Sequence, residues 1–451
     1  MSKNKRAWRR RVGRVSVYQR GNQYWIYYRQ GKQVRRPTGD NRAEALTLAA
    51  KINAQIAEGA PTVLAFQPVE LKDLIEKWLD HHEQVRRSSL ATVRRYRTAV
   101  GHLGTYATSV HGSLRADRFT QALAEEFVRY LRTTKVPPNG HPNTQKRLMR
   151  SKGIVFILGT CRALFNFARE QRHLPAYAPN PFSRLAIERM PIDDAKPIRP
   201  MTSEQEVAFF KACDEWQFRV FFVLAFTGLR VGELTHLLID NDLQLNNDVI
   251  RIANKPGLYW QVKTRNLRDV PLLPQVAQVL RTCIGSRTSG PVVLRRRFVS
   301  SRSCPLLEKN SMAELEQDVQ DRIERQQLLK DAPLTRLETA RIARSVWRDA
   351  GAVKETDIRT EFIRVTTRIG LGHLTCPKDL RHLFATSLQA AGVDPMIRRD
   401  IMGHTTLEMT SHYTHTRGIT RLRELSRLAD VRGEPLRLFG VRNGAQGRDA
   451  G

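Results

Sequence analysis

The chain has 451 residues, too many for one ordinary core, so two or three domains are expected. A formal net charge of +31 is a large self-repulsion to carry without a polyanionic partner, most simply nucleic acid, and no apolar run is long enough to span a bilayer. Five cysteines without a CxxC pair, and an N-terminus without the apolar stretch of a signal peptide, indicate neither a disulfide framework nor a zinc finger and fit the cytoplasm.

Met1 to Gly39 contains no acidic residue. Within it, VSVYQRGNQYWIYYRQGKQVRRPTG predicts three short strands with turns at Gly21-Asn22 and Gly31. Alternation puts Tyr24, Ile26 and Tyr28 on one face and Trp25, Tyr27 and Arg29 on the other. RAEALTLAAKINAQIAEG then predicts a helix ended by Gly59. A small basic sheet backed by one helix can enter a major groove, which makes Arg20, Arg29, Arg35 and Arg36 candidate DNA contacts. The alternative is a β-rich module whose aromatics only pack.

Pro61 to Pro68 reads as a linker, and an all-helical region follows. LKDLIEKWLDHH is amphipathic. SSLATVRRYRTAVGHLGTY starts on a serine cap and carries Arg94, Arg95 and Arg97 on its polar side. TQALAEEFVRYLR and GIVFILGTCRALFNFARE are further helices, with a basic, loop-like stretch between them. Several basic faces in one small helical domain favour contacts to backbone phosphates. A second linker ends at Thr202, where Gln205 and Glu206 suit a capping box. The third region opens with helices, turns to strands at NDVIRIAN, LYWQVK and LRDVPLL, and returns to helices from PQVAQVLRTCIG onward. Residues 305–350 are highly charged and helical in pattern.

Four stretches of this region carry chemistry. FTGLRVGELTHL places Arg230 and Glu233 one turn apart, a pair that alone could be structural. VKTRNLRDVPL is a hairpin with Lys263 at a strand end, by itself only a surface charge. CPKDLRHLFATSLQAAG starts a helix at Pro377 with Lys378 and Arg381 on one face. GHTTLEMTSHYTHT holds His404, His412, His415 and Tyr413; the histidine spacing is not a usual zinc pattern, and no metal site is expected.

In this order the four stretches resemble the tyrosine recombinase, or phage integrase, family. TGLRVGEL is similar to its first arginine box, KTRNLRDVPL to its lysine hairpin, KDLRHLFAT to its second arginine box except at the first residue, and MGHTTLEMTSHYTH to its last box. NPFSRL resembles the family's junction between core-binding and catalytic domains, and the N-terminal sheet resembles the arm-binding module of longer integrases. The resemblance implies a multidomain, mainly α chain with small β elements. Residues 1–66 would be an arm-type DNA-binding domain of three strands and a helix, and 67–187 a helical core-binding domain. Residues 188–432 would be a mixed α/β catalytic domain, and 433–451 a C-terminal tail.

The resemblance also implies the chemistry. Arg230 and Arg381 would bind the non-bridging oxygens of a scissile phosphate and stabilise the pentavalent transition state. Lys263 would protonate the leaving 5′ oxygen. Tyr413 would attack phosphorus and become a 3′-phosphotyrosine, its phenolate favoured by surrounding cations. His404 would hydrogen-bond the phosphate, and Glu233 would support the arginines. Lys378 stands where the family most often has histidine; it would donate to the phosphate as an ammonium. No cofactor is implied.

The implied activity is integration or excision of a mobile element by a homo-tetramer on two double-stranded DNA sites, of core and arm type. DNA-bending or excision-directing proteins are possible partners. The helix RLRELSRLA, with Leu422, Leu425 and Leu428 on one side, would dock on a neighbouring subunit. Two rivals are a type IB topoisomerase, against which the basic N-terminal sheet argues, and a DNA-binding protein with a dead catalytic domain, which Lys378 leaves open.

Overall fold

The computed structural model describes all residues except 1–7, 31, 60–61, 63–65, 139–142, 176–177, 193–200, 264–266, 301–303, 308–309, 404–417 and 447–451. The chain divides into two units, Met1–Pro197 and Ile198–Gly451. Gly31, expected at a turn, lies outside the described residues, as does part of the linker expected at 61–68.

The first unit opens with an antiparallel sheet of β1 (Arg9–Val12), β2 (Val15–Arg20), β3 (Gln23–Gln30) and β4 (Lys32–Pro37), in that order. The three expected strands are present, and β1 is a fourth. Its sequence, RRRV, reads as a charge run because an edge strand with exposed arginines has almost no apolar alternation. Helix α1 (Arg42–Ala57), capped by the Asn41 side chain, covers one face of the sheet. Val15, Val17, Ile26 and Tyr28 meet Ala45, Ala49 and Ile52 there. The Tyr28 and Thr62 hydroxyls share a hydrogen bond of 2.6 Å that satisfies both buried groups.

A helical bundle follows: α2 (Leu71–Asp80), α3 (Leu90–His111), α4 (Gln121–Thr133) and α5 (Ser151–Glu170). Ser89 caps α3 as its sequence predicts, accepting from the Thr92 N–H at 3.2 Å. The apolar stripes of the four helices converge on Trp78, Leu103, Phe127, Leu158 and Phe165. The stretch between α4 and α5, expected as loop, contains a short pairing of β5 (Lys135–Val136) with β6 (Arg147–Leu148).

In the second unit, α6 (Ser203–Ala212) begins at the expected capping box of Thr202 and Gln205. Helix α7 (Glu215–Thr227) is buried nearly all round, with Phe218, Phe221, Phe222 and Phe226 in the core. It stops at Gly228, whose φ of 63° is left-handed and where a Cβ would run into Phe384 and Met402. The chain then forms α8 (Val231–Leu234), α9 (Ile239–Asp242) and an antiparallel sheet of β7 (Leu243–Gln244), β8 (Val249–Ile252) and β9 (Arg268–Pro271). LYWQVK, expected as a strand, is no part of this sheet; residues 255–260 close a tight loop through an isolated bridge between Lys255 and Trp260.

Helices complete the unit: α10 (Pro274–Ile284), α11 (Arg297–Ser300), α12 (Met312–Lys330), α13 (Arg336–Asp349), α14 (Glu355–Arg368), α15 (Lys378–Ala390), α16 (Pro395–Met402), α17 (Gly418–Ser426) and α18 (Leu428–Gln446). The charged stretch 305–350 thus becomes a helical hairpin, α12 and α13, around a small core that also takes in Leu238 and Leu258. Among the described residues no helix is long and apolar enough to cross a membrane.

The C-terminal helices correct one expectation. Leu425 and Leu428 are fully buried in the core of their own unit, together with Leu436, and only Leu422 of the leucine side is exposed, at 37%. Repeated leucines mark an apolar face but do not say what covers it. Helix α18 kinks at Arg432, whose guanidinium turns inward. It donates from Nε to Glu206 at 3.1 Å, again to Glu206 from Nη2, and from Nη1 to the Ala225 carbonyl at 2.6 Å, over the Phe226 ring. Both charges of this pair are almost wholly buried. Arg432→Met is therefore expected to cost about 3–5 kcal/mol, because it strands the Glu206 carboxylate. Denaturant titration followed by amide exchange in the second unit measures it; a loss under about 1 kcal/mol would contradict the anchoring role. Removing residues 418–451 is expected to unfold this unit, since Leu425, Leu428, Leu436 and Arg432 leave its core with them; a variant that keeps a cooperative denaturant transition in this unit would contradict this.

Candidate active site

Arg230 is set by the turn that ends α7 and serves as N-cap of α8. Its backbone N–H and its Nη1 both donate to Glu233, at 2.9 and 2.8 Å. Glu233 also receives both Nη groups of Arg268, at 3.1 and 2.7 Å. Glu233 and Arg268 are buried, and Arg230 is half-buried. Burial works to raise the Glu233 pKa, but the hydrogen bonds and charges of Arg268 and Arg230 outweigh it and hold the carboxyl below its ordinary 4.5.

Arg381, on the first turn of α15, is buried in the same place. It donates to the carbonyls of Gly228 and Met402. Arg230 Nη2 donates to the next carbonyl, that of Gly403, at 3.1 Å, and Arg268 Nε to that of Ile401 at 3.1 Å. Three guanidiniums thus hold three successive carbonyls at the end of α16. Burial and then the charge of Arg230 push the Arg381 pKa down to about 9, with Glu233 working the other way. An anion placed against this cluster would relieve that strain.

The structure therefore brings Arg230, Glu233 and Arg381 together. Sequence reading missed Arg268. Its position was legible as a charge in the inward phase of β9, where Arg268 and Val270 are buried and Asp269 is exposed. Lys263 stands exposed just before residues 264–266, and Lys378 stands exposed at the first residue of α15, one turn ahead of Arg381. His404 and Tyr413, with His412 and His415, lie outside the described residues. Burial, then the charge of Lys378, lowers the pKa of the half-buried His382. Among the described residues no group of three or more metal-ligating side chains occurs.

In the first unit, strand pairing sorts the candidate DNA contacts. Tyr18 opposes Trp25, and Tyr27 opposes Arg35, so Arg20, Trp25, Tyr27, Arg29 and Arg35 share the face away from α1. Arg20 lies 5.6 Å from the Trp25 ring and Arg35 5.3 Å from the Tyr27 ring. Arg36 opposes Ile26 and faces the other way, near Phe66, because neighbours along a strand point to opposite faces. Arg94, Arg95 and Arg97 are exposed on α3; Arg95 lies over Phe156 and Arg97 is 3.7 Å from Glu83.

Residues 199–418, most of the second unit, match the phage integrase family. That stretch carries a phage integrase domain, the domain of the tyrosine recombinases. A stretch of 53 residues is 40% identical to tyrosine recombinase XerD of Neisseria meningitidis serogroup A, strain Z2491. That stretch is 12% of this chain and spans only 18% of the relative's length. Among solved structures, the Tn1549 transposon integrase in complex with transposon right end DNA aligns over 80% of this chain and 100% of its own, with TM-score 0.51 and 21% identity. A second structure of that integrase, with a circular intermediate DNA, gives TM-score 0.50 and 20% identity over 80% and 99% of the two chains. At these identities the likeness is one of fold.

Glu233→Gln tests the electrostatic core of the site. Removing the carboxylate leaves Arg268 buried and unpaired, an expected loss of about 3–5 kcal/mol at neutral pH. A carboxyl with a depressed pKa stabilises the fold above its unfolded value, and that contribution fades as pH falls through its folded value. The gap between wild type and variant in denaturant titrations should therefore narrow below pH 4.5. A gap unchanged from neutral pH down to strong acid would contradict this account.

Proposed function

We propose that the protein is a site-specific DNA recombinase, an integrase that cleaves and rejoins DNA through a 3′-phosphotyrosine at Tyr413 to integrate or excise a mobile element. The observation that carries this reading is the convergence of Arg230 and Arg381, from two distant boxes, on the adjacent carbonyls of Gly403 and Met402. His404 follows directly, and Tyr413 lies nine positions further on in the same box. The relatives' names, a tyrosine recombinase and a transposon integrase bound to transposon DNA, agree with it.

The chemistry follows from the charges. A phosphodiester repels nucleophiles and has a poor leaving group. Guanidiniums of Arg230, aligned in advance by Glu233, and of Arg381, aligned by the Gly228 and Met402 carbonyls, neutralise the non-bridging oxygens as charge builds in the transition state. Tyr413 passes its proton to water and attacks phosphorus as the phenolate, and the bond to the 5′ oxygen breaks while the Lys263 ammonium protonates that oxygen. Lys378 and His404 donate hydrogen bonds to the phosphate. Rejoining reverses these steps, with a free 5′ hydroxyl attacking the phosphotyrosine. The bond energy stays in the protein–DNA link, so strand joining needs no nucleotide.

The open face of the N-terminal sheet, with Arg20, Arg29 and Arg35 beside Trp25 and Tyr27, would read arm-type sites, and the exposed arginines of α3 would hold core-type sites. We assign residues 1–66 to the arm domain, 67–187 to the core-binding domain, 188–432 to the catalytic domain and 433–451 to the tail. The working assembly is a homo-tetramer on two duplexes in the cytoplasm, with DNA-bending or excision-directing proteins as partners.

A nicked suicide duplex, recovered by covalent capture from a randomised pool, supplies a substrate. Tyr413→Phe is expected to abolish the covalent adduct while leaving gel-shift affinity within about twofold, since only the nucleophilic oxygen is lost. An adduct that persists in this variant would sink the assignment. In single-turnover cleavage of the same duplex, Lys378→Ala is expected to be slower by about 10²-fold and Lys378→His to keep most activity. An alanine variant as fast as wild type would place Lys378 outside the reaction.

A further inference from the structure

Lys263 is exposed, yet a general acid must be held within hydrogen-bond reach of the leaving oxygen. The chain that leads into it is anchored in layers. Residues 255–260, KPGLYW, close on themselves: the Lys255 N–H donates to the Trp260 carbonyl at 3.0 Å, and the Trp260 N–H to the Lys255 carbonyl at 3.1 Å. The Lys255 ammonium, 1% exposed, pairs at 2.8 Å with the fully buried carboxylate of Asp242 and lies 5.1 Å from the Trp260 ring. Asp242 is fixed in turn by the Leu238 N–H at 2.7 Å. Two residues beyond Trp260, the buried Val262 donates its N–H to Asn254 at 2.9 Å. Lys263 is next.

The other side of Trp260 faces the arginine box. Its indole stacks on the His236 imidazole, with centroids 5.0 Å apart and planes at 15°. His236 sits just past α8, three residues beyond Glu233, with Nδ1 2.8 Å from the Gly232 carbonyl. Burial pushes its pKa down to about 4, so at neutral pH it is an uncharged ring that can donate this bond. Trp347 of α13 meets His236 edge-on at 4.9 Å. Leu258, from the same loop, is buried among Leu315, Val319 and Trp347 of the helical hairpin. Gly257 lies so close to the Glu316 side chain of α12 that a Cβ there would collide with it.

We propose that the α12–α13 hairpin braces the lysine loop, and that Trp260 and Trp347 are positioning residues that aim Lys263 at the leaving oxygen. A hairpin that only filled space on the surface would need neither the edge-on contact of Trp347 with His236 nor Leu258 in its core. The buried Asp242–Lys255 pair sets the register of the loop, because any slip would strand two charges in the interior. The chain beyond the lysine loop is held separately, where Arg268 of β9 donates to Glu233. The inference rests on the reading of Lys263 as the general acid.

Sulfur in place of the 5′ bridging oxygen separates positioning from scaffolding, because a thiolate leaves without being protonated. The full-length chain is assayed in single-turnover cleavage of the captured suicide duplex, with oxygen and with sulfur at that position. Lys263→Ala is expected to lose about 10²-fold on oxygen and to recover to within about threefold of wild type on sulfur. Trp260→Ala and Trp347→Ala are expected to lose at least about tenfold on oxygen and to recover likewise on sulfur, while Trp260→Phe, which keeps a stacked ring, retains most activity. Tryptophan variants at wild-type rate on oxygen would overturn the inference. So would variants equally slow on both substrates while Lys263→Ala recovers; the stack would then be general scaffolding, and the role of Lys263 would stand. Failure of sulfur to rescue Lys263→Ala would overturn that role and the inference with it.

Discussion

A single buried carboxylate organises the second unit's site. Glu233 faces Arg230 and Arg268 directly and, at longer range, offsets the charge on Arg381. Three guanidiniums against one carboxylate leave two positive charges in a place where desolvation already opposes the charged state of Arg381. Such a cluster is held open by its neighbours and is suited to an anion that gains charge during reaction. The same carboxylate aligns Arg230 and Arg268, and backbone carbonyls align Arg381, before any ligand arrives, so little reorganisation is needed when one does.

The constraint spreads outward through backbone rather than side chains. Arg268, Arg381 and Arg230 donate to the carbonyls of Ile401, Met402 and Gly403, which tie the end of α16 to the arginine boxes. Arg268 also anchors the start of β9, while the loop that leads to Lys263 leans on His236 through Trp260. The start of α15, the end of α16, the start of β9 and the loop before Lys263 are thus referred to the short stretch from Gly228 to His236. Helix α7 can supply that reference because, from Val220 to Thr227, it is buried on every side.

Much of this was legible in the sequence, and the misses have physical reasons. Caps at Ser89 and Thr202 and the periodicity of α3, α5 and α12 are local properties, so they could be read directly. The order of Arg230, Lys263, Arg381 and Tyr413 carried the resemblance to the phage integrase family, which residues 199–418 match. Arg268 went unread because an arginine in a basic chain looks like surface charge unless its strand phase is followed. LYWQVK alternates like a strand, but the Pro256-Gly257 pair before it signals a turn, and Tyr259 adopts φ of 51°. The leucines of α17 and α18 could not reveal their partner, because an apolar stripe is satisfied equally by its own domain or by another chain.

The central claim is that Arg230 and Arg381 act on the charge of the scissile phosphate. A methylphosphonate at that position removes one non-bridging oxygen and its charge while leaving the duplex otherwise unchanged. Single-turnover cleavage by wild type and Arg381→Ala on both substrates measures the coupling. Arg381→Ala is expected to lose about 10²-fold or more on the phosphodiester and less than about tenfold on the methylphosphonate. An equal loss on both substrates would contradict the claim and make Arg381 a structural residue alone.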